Sequence, residues 1–251
     1  MTVAVADIYG EAAESFLHDT GYDRWDEDEH LDNINGGQRM TVFLKPDANT
    51  VNDVYQLSEG TKQSLPDGSA SFQNPDSETL AAGIQLLDVI RNMGTDGATP
   101  GDGIVIVDRA IMDLSNPGWH SDTASATVQN YVFSEKDPKH FYVYPPQPSS
   151  GQGWAEIAFS ALVADIASTS GNISLGDEYR EALLYYDLFR CYLKDSGESR
   201  FAAERATYFW NMFVTTLGRR DLIQKDVSPN KHSPKPSPSI ATTQEGAPWQ
   251  I

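Results

Sequence analysis

The sequence predicts an α+β fold: a helical bundle with an inserted β-rich domain and an extended C-terminal arm. Three observations support this prediction. Apolar residues recur at helical spacing near both ends of the 251-residue chain, alternate in strand-like runs in its middle, and become rare after residue 223. The predicted segments are two N-terminal helices in 1–50, the β-rich insertion in 51–165, two C-terminal helices in 166–218 and the arm in 219–251.

The N-terminal helices follow from their apolar spacing. A first helix is predicted over about 3–18, and a second from about Asp26 to Leu44, ahead of Pro46. The residues that share one face are Ile8, Ala12 and Phe16 in the first helix and Leu31, Ile34, Gln38 and Val42 in the second. The pair Gly36-Gly37 costs about 1 kcal/mol per glycine relative to alanine, and such a pair often permits the close approach of a neighbouring helix.

The run from Trp25 to His30 contains four consecutive acids and admits two interpretations. A metal site is one, but the run lacks the central glycine and the terminal glutamate of a calcium-binding loop. The other is a helix start whose acids are solvated and interact with the positive end of the helix dipole. The second interpretation is favoured.

The insertion is predicted from alternating apolar and polar residues. Two hairpins are expected, one pairing 51–57 with 62–65 and one pairing 128–133 with 140–144, where Pro145-Pro146 closes the second strand. Further strands are expected at 84–91, 104–107 and 154–159, and a short helix at 109–114.

Helical spacing returns after residue 174. One helix is predicted to contain Tyr179 to Leu193, and a second runs from Arg200 to Leu217, with Gly218 as the stop. In the second helix one stripe is formed by Phe201, Tyr208, Met212 and Thr216.

Composition excludes several classes of protein. The net charge of −18 argues against a surface that wraps nucleic acid by neutralising phosphates, and no apolar run approaches the length of a membrane span. The amino terminus lacks the basic region and apolar stretch of a secretory signal. The single cysteine, Cys191, has no partner for an internal disulfide, which indicates folding where thiols stay reduced. A packed thiol is favoured there over a nucleophile.

The charge is divided between the body and the arm. Residues 219–251 contain five bases, three acids and five of the 14 prolines, for a formal charge of +2, so residues 1–218 carry −20. The arm also ends on an aromatic and an aliphatic residue, which a plain linker does not need. We therefore predict a docking arm, whose candidate contact residues are Arg219, Arg220, Lys225, Lys231, Lys235, Trp249 and Ile251.

The search for catalytic motifs finds no phosphate-binding loop, no dinucleotide fingerprint, no zinc-protease motif and no nucleophile elbow. The dipeptide His18-Asp19 lacks the further ligands that a metal hydrolase requires. No cofactor and no metal are therefore expected. One alternative stays open: Asp96, Asp102 and Asp108, in and beside the glycine-rich loop 94–108, are candidates for the site of a small acidic enzyme.

Trp25 with its acidic helix start and several ordered runs carry a resemblance that extends over about residues 3–217. The runs are Phe43–Ala48, Leu57–Pro66, Leu87–Gly94, Asp108-Arg109, Pro117–His120, Tyr131–Pro146 and Ala182–Tyr186. In these segments the chain resembles the head-to-tail adaptors, or connector proteins, of podovirus-like tailed phages.

The resemblance implies a structural virion protein with no catalytic residues, made in the bacterial cytoplasm and located at the head–tail junction. Family members form a ring, usually dodecameric, beneath the portal, and connect it to the tail tube or nozzle. DNA passes through the channel, and a C-terminal arm docks on the portal. A tail-completion or terminator protein, which would be a hexamer without a portal arm, is the alternative within the same class.

Overall fold

The computed structural model describes residues 2–197 and 199–227, with the backbone alone for 219–227. Its α-helices are α1 (Val5–Glu11), α2 (Glu27–Leu44), α3 (Arg109–Ser115), α4 (Arg180–Lys194) and α5 (Arg200–Val227), and a π-helical segment, Ala12–Leu17, continues α1. Its strands are β1 (Thr50–Gln56), β2 (Gly60–Ser64), β3 (Gly83–Asn92), β4 (Val105–Ile106), β5 (Asn130–Phe133), β6 (His140–Gln147) and β7 (Trp154–Ala161). The predicted α+β class is confirmed. None of the described helices is long and apolar enough to cross a membrane.

Helix α2 packs against α4, and α4 packs against α5. The four residues that the sequence places on one face of α2 are all buried. Gly37 lies so close to α4 that an added Cβ would stand 3.1 Å from the side chains of both Leu183 and Tyr186. The glycine therefore permits the close helix approach that was predicted.

The start of α2 combines exposed acids with two buried rings. The Asp26 carboxylate caps the helix by accepting a hydrogen bond from the Glu29 amide at 2.7 Å. Glu27 and Asp28 are exposed, as the interpretation of a solvated acidic face expects. Trp25 and His30, at the two ends of the acidic run, are buried instead.

His30 belongs to a buried polar cluster between α2 and α4. Its Nδ1 lies 2.8 Å from Asp187 Oδ2, while Asp187 Oδ1 accepts hydrogen bonds from Asn33 Nδ2 at 3.0 Å and from the Cys191 thiol at 3.5 Å. The His30 and Asp187 side chains are both fully shielded from solvent. Because the carboxylate accepts from three side chains at once, it holds the two helices in one relative position.

The strands form two sheets. In the three-stranded sheet the order is β1-β7-β3, and β7 is antiparallel to both neighbours. In the four-stranded sheet the order is β2-β6-β5-β4, with β4 parallel to β5 at one edge. One hydrophobic core contains residues from both sheets, including Tyr55, Leu86, Val89, Tyr131, Phe141, Val143, Ile157 and Phe159.

One predicted hairpin is wrong and the other is confirmed. β1 and β2 follow each other in sequence but belong to different sheets, since β1 pairs with β7 and β2 pairs with β6. The short connection between them is held by the Gln63 side chain, which accepts from the Ser58 amide at 2.7 Å and donates to the Ser58 carbonyl at 2.8 Å. β5 and β6 form the second hairpin as predicted, although β6 continues through Pro145 and Pro146 to Gln147.

Helix α5 differs from its prediction in two respects. It continues past Gly218 to Val227, so this glycine does not end it. The predicted stripe is also not the buried face of the helix: Phe201 is 62% exposed and Tyr208 is 58% exposed, while Met212 and Thr216 are half-buried. The residues that α5 buries are Ala202, Ala206, Phe209, Phe213 and Leu217.

The buried cluster leads to a first prediction. Replacing Asp187 with alanine leaves His30 and Asn33 without their acceptor, so we expect a loss of about 2–4 kcal/mol in the free energy of unfolding. Urea denaturation followed by circular dichroism measures it. The control is Asp165→Ala, which breaks an exposed ion pair with Arg39 and should change stability little. Equal effects of the two substitutions would contradict the role given to Asp187.

A second prediction concerns alkaline pH. Tyr131 donates a hydrogen bond to Asp88 Oδ1 at 2.9 Å, and burial together with that carboxylate raises its pKa to about 12. The folded state therefore favours the neutral phenol. This contribution to stability is complete below about pH 10, the ordinary tyrosine value, and is lost as the pH rises toward 12.

Urea unfolding between pH 9 and 11.5 tests this dependence. In Tyr131→Phe the fall of stability with pH should be shallower than in the native chain, whereas the exposed-ring control Tyr208→Phe should keep the native slope. Burial also raises the pKa of Tyr55, so some slope persists in both variants. Identical slopes for the native chain and Tyr131→Phe would contradict the assignment.

Candidate functional site

The predicted arm lies at the limit of the described structure. Arg219, Arg220 and Lys225 fall within the last turns of α5, where only the backbone is described. Lys231, Lys235, Trp249 and Ile251 lie outside the described residues. The docking role of these seven residues stays a prediction.

Two of the three acids proposed for the 94–108 loop form hydrogen bonds that stabilise the local backbone conformation. Asp96 accepts hydrogen bonds from the amides of Ala98 and Thr99, both at 3.0 Å, and these bonds lower its pKa. Asp108 caps α3 by accepting from the Ala110 amide at 2.7 Å. Asp102 is exposed. Among the described residues, the three carboxylates do not come together as a metal-sized group.

Within the described part of the chain, one group of three side chains has the ligand types and spacing of a metal site: His30, Asp187 and Cys191. Burial and the Asp187 carboxylate raise the pKa of the Cys191 thiol, which favours a protonated sulfur that donates to Asp187. The carboxylate and the thiol are therefore engaged in hydrogen bonds within the cluster, which has the properties of a structural network, while His30 Nε2 is buried with no hydrogen-bond partner among the described residues. No local sequence pattern indicates this cluster, because His30 and Asp187 are 157 positions apart.

An apolar patch lies on the outer side of α3. Met112 anchors α3 by packing against Trp119 and Val132, and the opposite side of the helix faces solvent. There Leu114 is 85% exposed and Ile111 is 62% exposed. The "α3 patch" is formed by Ile111 and Leu114; two further exposed apolar residues, Val105 and Ile106, lie on β4, which precedes α3 in sequence.

A groove separates the solvent-facing sides of α4 and α5. It encloses about 400 Å³. The "α4–α5 groove" is lined by Phe189, Leu193, Ser196, Ala203, Ala206, Thr207 and Trp210. Its lining includes an aromatic pair, since the rings of Phe189 and Trp210 pack 5.2 Å apart between their centroids. The groove is an apolar concavity of the size that accepts a few protein side chains.

The charges beside these two surfaces have opposite signs. Asp102, Asp108 and Asp113 lie within or next to the α3 patch in sequence, against one base, Arg109. On α4, Arg190 lies one turn before Leu193 at the groove and is exposed. Among the described residues, Arg190 has no carboxylate partner. Acidic residues therefore flank the exposed apolar residues of α3 in sequence, and Arg190, which has no carboxylate partner among the described residues, lies beside the groove.

Comparison with known proteins gives one family match. No curated protein matches the chain. The family model described as SU10 adaptor protein matches residues 2–234, which is most of the sequence and includes both sheets, all five helices and the first part of the arm. The resemblance found in the sequence is thereby confirmed. The chain belongs to the SU10 adaptor protein family, a family of phage head-to-tail adaptors, and its role is that of a structural adaptor in the virion.

Proposed function

We propose that twelve copies of this chain form a ring that connects the portal to the tail tube or nozzle, with DNA passing through its channel. The observation that carries the proposal is the family match over residues 2–234. In the proposed assembly, ring packing uses the helices, tail contacts use the β-rich segment 51–165, and the arm 219–251 docks on the portal.

The charge distribution supports a channel that does not retain DNA. DNA presents about one negative charge per 1.7 Å of its axis, so a channel surface rich in carboxylates repels it. At −18 per copy, twelve copies bring a formal charge of roughly −200 to the ring. Screening beyond about 8–10 Å leaves only the acids nearest the channel effective. Fast passage is thus favoured over binding.

The composition of the arm, in contrast, favours binding to a partner protein. Its formal charge is +2 while the body carries −20, and its prolines favour an extended chain that reaches a neighbour. Trp249 and Ile251 supply the aromatic and aliphatic anchors that concentrate binding energy in an interface. The arm is therefore suited to hold a partner surface with acidic and apolar groups.

The third prediction tests the arm. A chain ending at Val227 keeps all of α5, and we expect it to fold normally but to bind the purified portal at least tenfold more weakly than the full chain. In the full chain, Trp249→Ala should produce a similar loss because it removes the aromatic anchor, whereas the neighbouring Gln250→Ala should not. Surface plasmon resonance measures the affinities, and circular dichroism checks folding. Undiminished portal binding by the 1–227 chain would overturn the docking role.

The fourth prediction tests ring size. With portal present, mass photometry should detect twelve adaptor copies per portal ring. A hexamer that forms without portal and ignores it would instead identify a tail-completion or terminator protein. Stable monomers that do not bind portal would overturn both proposals.

A further inference from the structure

We infer that neighbouring copies in the proposed ring are joined by a heterologous contact, in which the α3 patch of one copy occupies the α4–α5 groove of the next. This inference rests on the proposed ring, and it assigns α3, a helix within the segment 51–165, to ring packing and not to tail contact. Ile111 and Leu114 are the inserted side chains, and the groove walls are Leu193, Ala203 and Thr207.

The α3 patch has the properties of a protruding contact. Leu114 is the most exposed large apolar side chain in the described part of the chain, and Ile111 lies one turn before it on the same helix. The helix beneath them is fixed, because Trp119 donates to Asp113 at 2.9 Å and Asp108 caps the first turn. Two adjacent apolar residues on a fixed helix form a rigid ridge that has no apolar neighbour to cover it in its own copy.

The groove has the complementary shape and polarity. It is concave, it lies between two helices, and small residues at Ala203 and Ala206 leave room for inserted side chains. Leu193 is 42% exposed at its edge, so an inserted ridge would remove apolar surface from water on both sides of the contact. A short helix laid into an apolar groove is a common mode of recognition.

Charge complementarity selects a second copy of this chain as the occupant. Asp102 and Asp108 precede the inserted residues, and Arg190 lies beside the groove. Within residues 2–197 and 199–218, whose side chains the structure describes, Arg190 has no carboxylate partner and Asp102 has no basic partner. The contact would bring the opposite charges together and orient the ridge in the groove.

The two surfaces lie on different parts of the fold, which determines the kind of assembly. α3 rests on the core of Met112, Trp119 and Val132, while the groove lies over the aromatic residues of α4 and α5. A patch that fits a different surface of an identical molecule makes a head-to-tail contact, which generates a closed ring when the rotation between copies closes.

The fifth prediction uses one variant of each surface. Leu114→Asp places a charge on the ridge, and Thr207→Trp fills the groove. Both positions are exposed, so both chains should fold as the native one does. Each variant alone should form no adaptor ring on the portal, as seen by negative-stain microscopy and mass photometry. The control Phe43→Asp, at another apolar residue that is 76% exposed, should form complete rings.

Cross-linking of mixed chains tests the pairing itself. We expect Leu114→Cys and Thr207→Cys chains, mixed on the portal, to be joined by a short bis-maleimide into dimers, whereas neither chain alone should cross-link. A chain with both substitutions should give a ladder of higher oligomers. The native Cys191 is fully buried and does not compete for the reagent.

The outcomes separate the two proposals. Complete rings formed by Leu114→Asp chains, or cross-links between two Leu114→Cys chains, would overturn the proposed contact but not the proposed ring. Native chains that form no ring with portal would overturn the ring and the contact together. Cross-linked dimers confined to the mixture, with loss of rings in both surface variants, would support the contact.

Discussion

The fold depends on a helix, α2, whose buried face is largely polar. Its buried polar residues are His30, Asn33, Asn35, Gln38 and Thr41. A buried polar group without a partner costs about 1–3 kcal/mol, so such a face is tolerated only where partners are accurately placed. The partners come from distant parts of the chain: Asp187 on α4 accepts from Asn33, while Asn35 exchanges two hydrogen bonds with the backbone of Ile166.

The polar face of α2 also positions the segment that follows the last strand, β7. Gln38 accepts from the amides of Ser174 and Leu175 at 2.7 and 3.2 Å, and Arg39 forms an ion pair with Asp165. The two hydrogen bonds of the buried Gln38 side chain hold the segment that connects β7 to α4 along α2, and the exposed ion pair adds little to this. Gly37 brings α4 close enough for the Asp187 cluster to form on the same helix. The sheets and the bundle are therefore connected through one helix, and directional hydrogen bonds fix their junction more sharply than apolar packing would.

Local sequence patterns predicted where the helices and strands lie better than they predicted which of them pair or pack together. Helix α2, the β5–β6 hairpin and strand β7 follow from spacing and turn residues that act over a few positions. The pairing of β1 with β7 joins residues as distant as Thr50 and Ser160, so the turn residues after β1 carried no information about it. The buried polar cluster was not predicted either. Its residues are also distant in sequence, and a histidine after a run of acids has the pattern of a solvated helix start. Of the candidate site, the sequence indicated the arm but not the α3 patch, since periodicity shows which residues share a face and not which face is covered.

The usual distribution of polar residues outside and apolar residues inside is thus partly reversed in this chain. Amides and a carboxylate lie in the bundle core, while Leu114, Ile111 and Phe201 are exposed to solvent. Hydrogen bonds inside the bundle need fixed geometry, so they favour a body whose surfaces keep their shape before assembly. Exposed apolar residues add little to the stability of the free chain, but they release water when another surface covers them. A structural adaptor benefits from this division: the free chain keeps its fold through directional contacts, while its apolar surface stays available for its neighbours. In the proposed ring, association would then draw on the hydrophobic surface that folding left exposed, and the acidic net charge would oppose premature association of free chains.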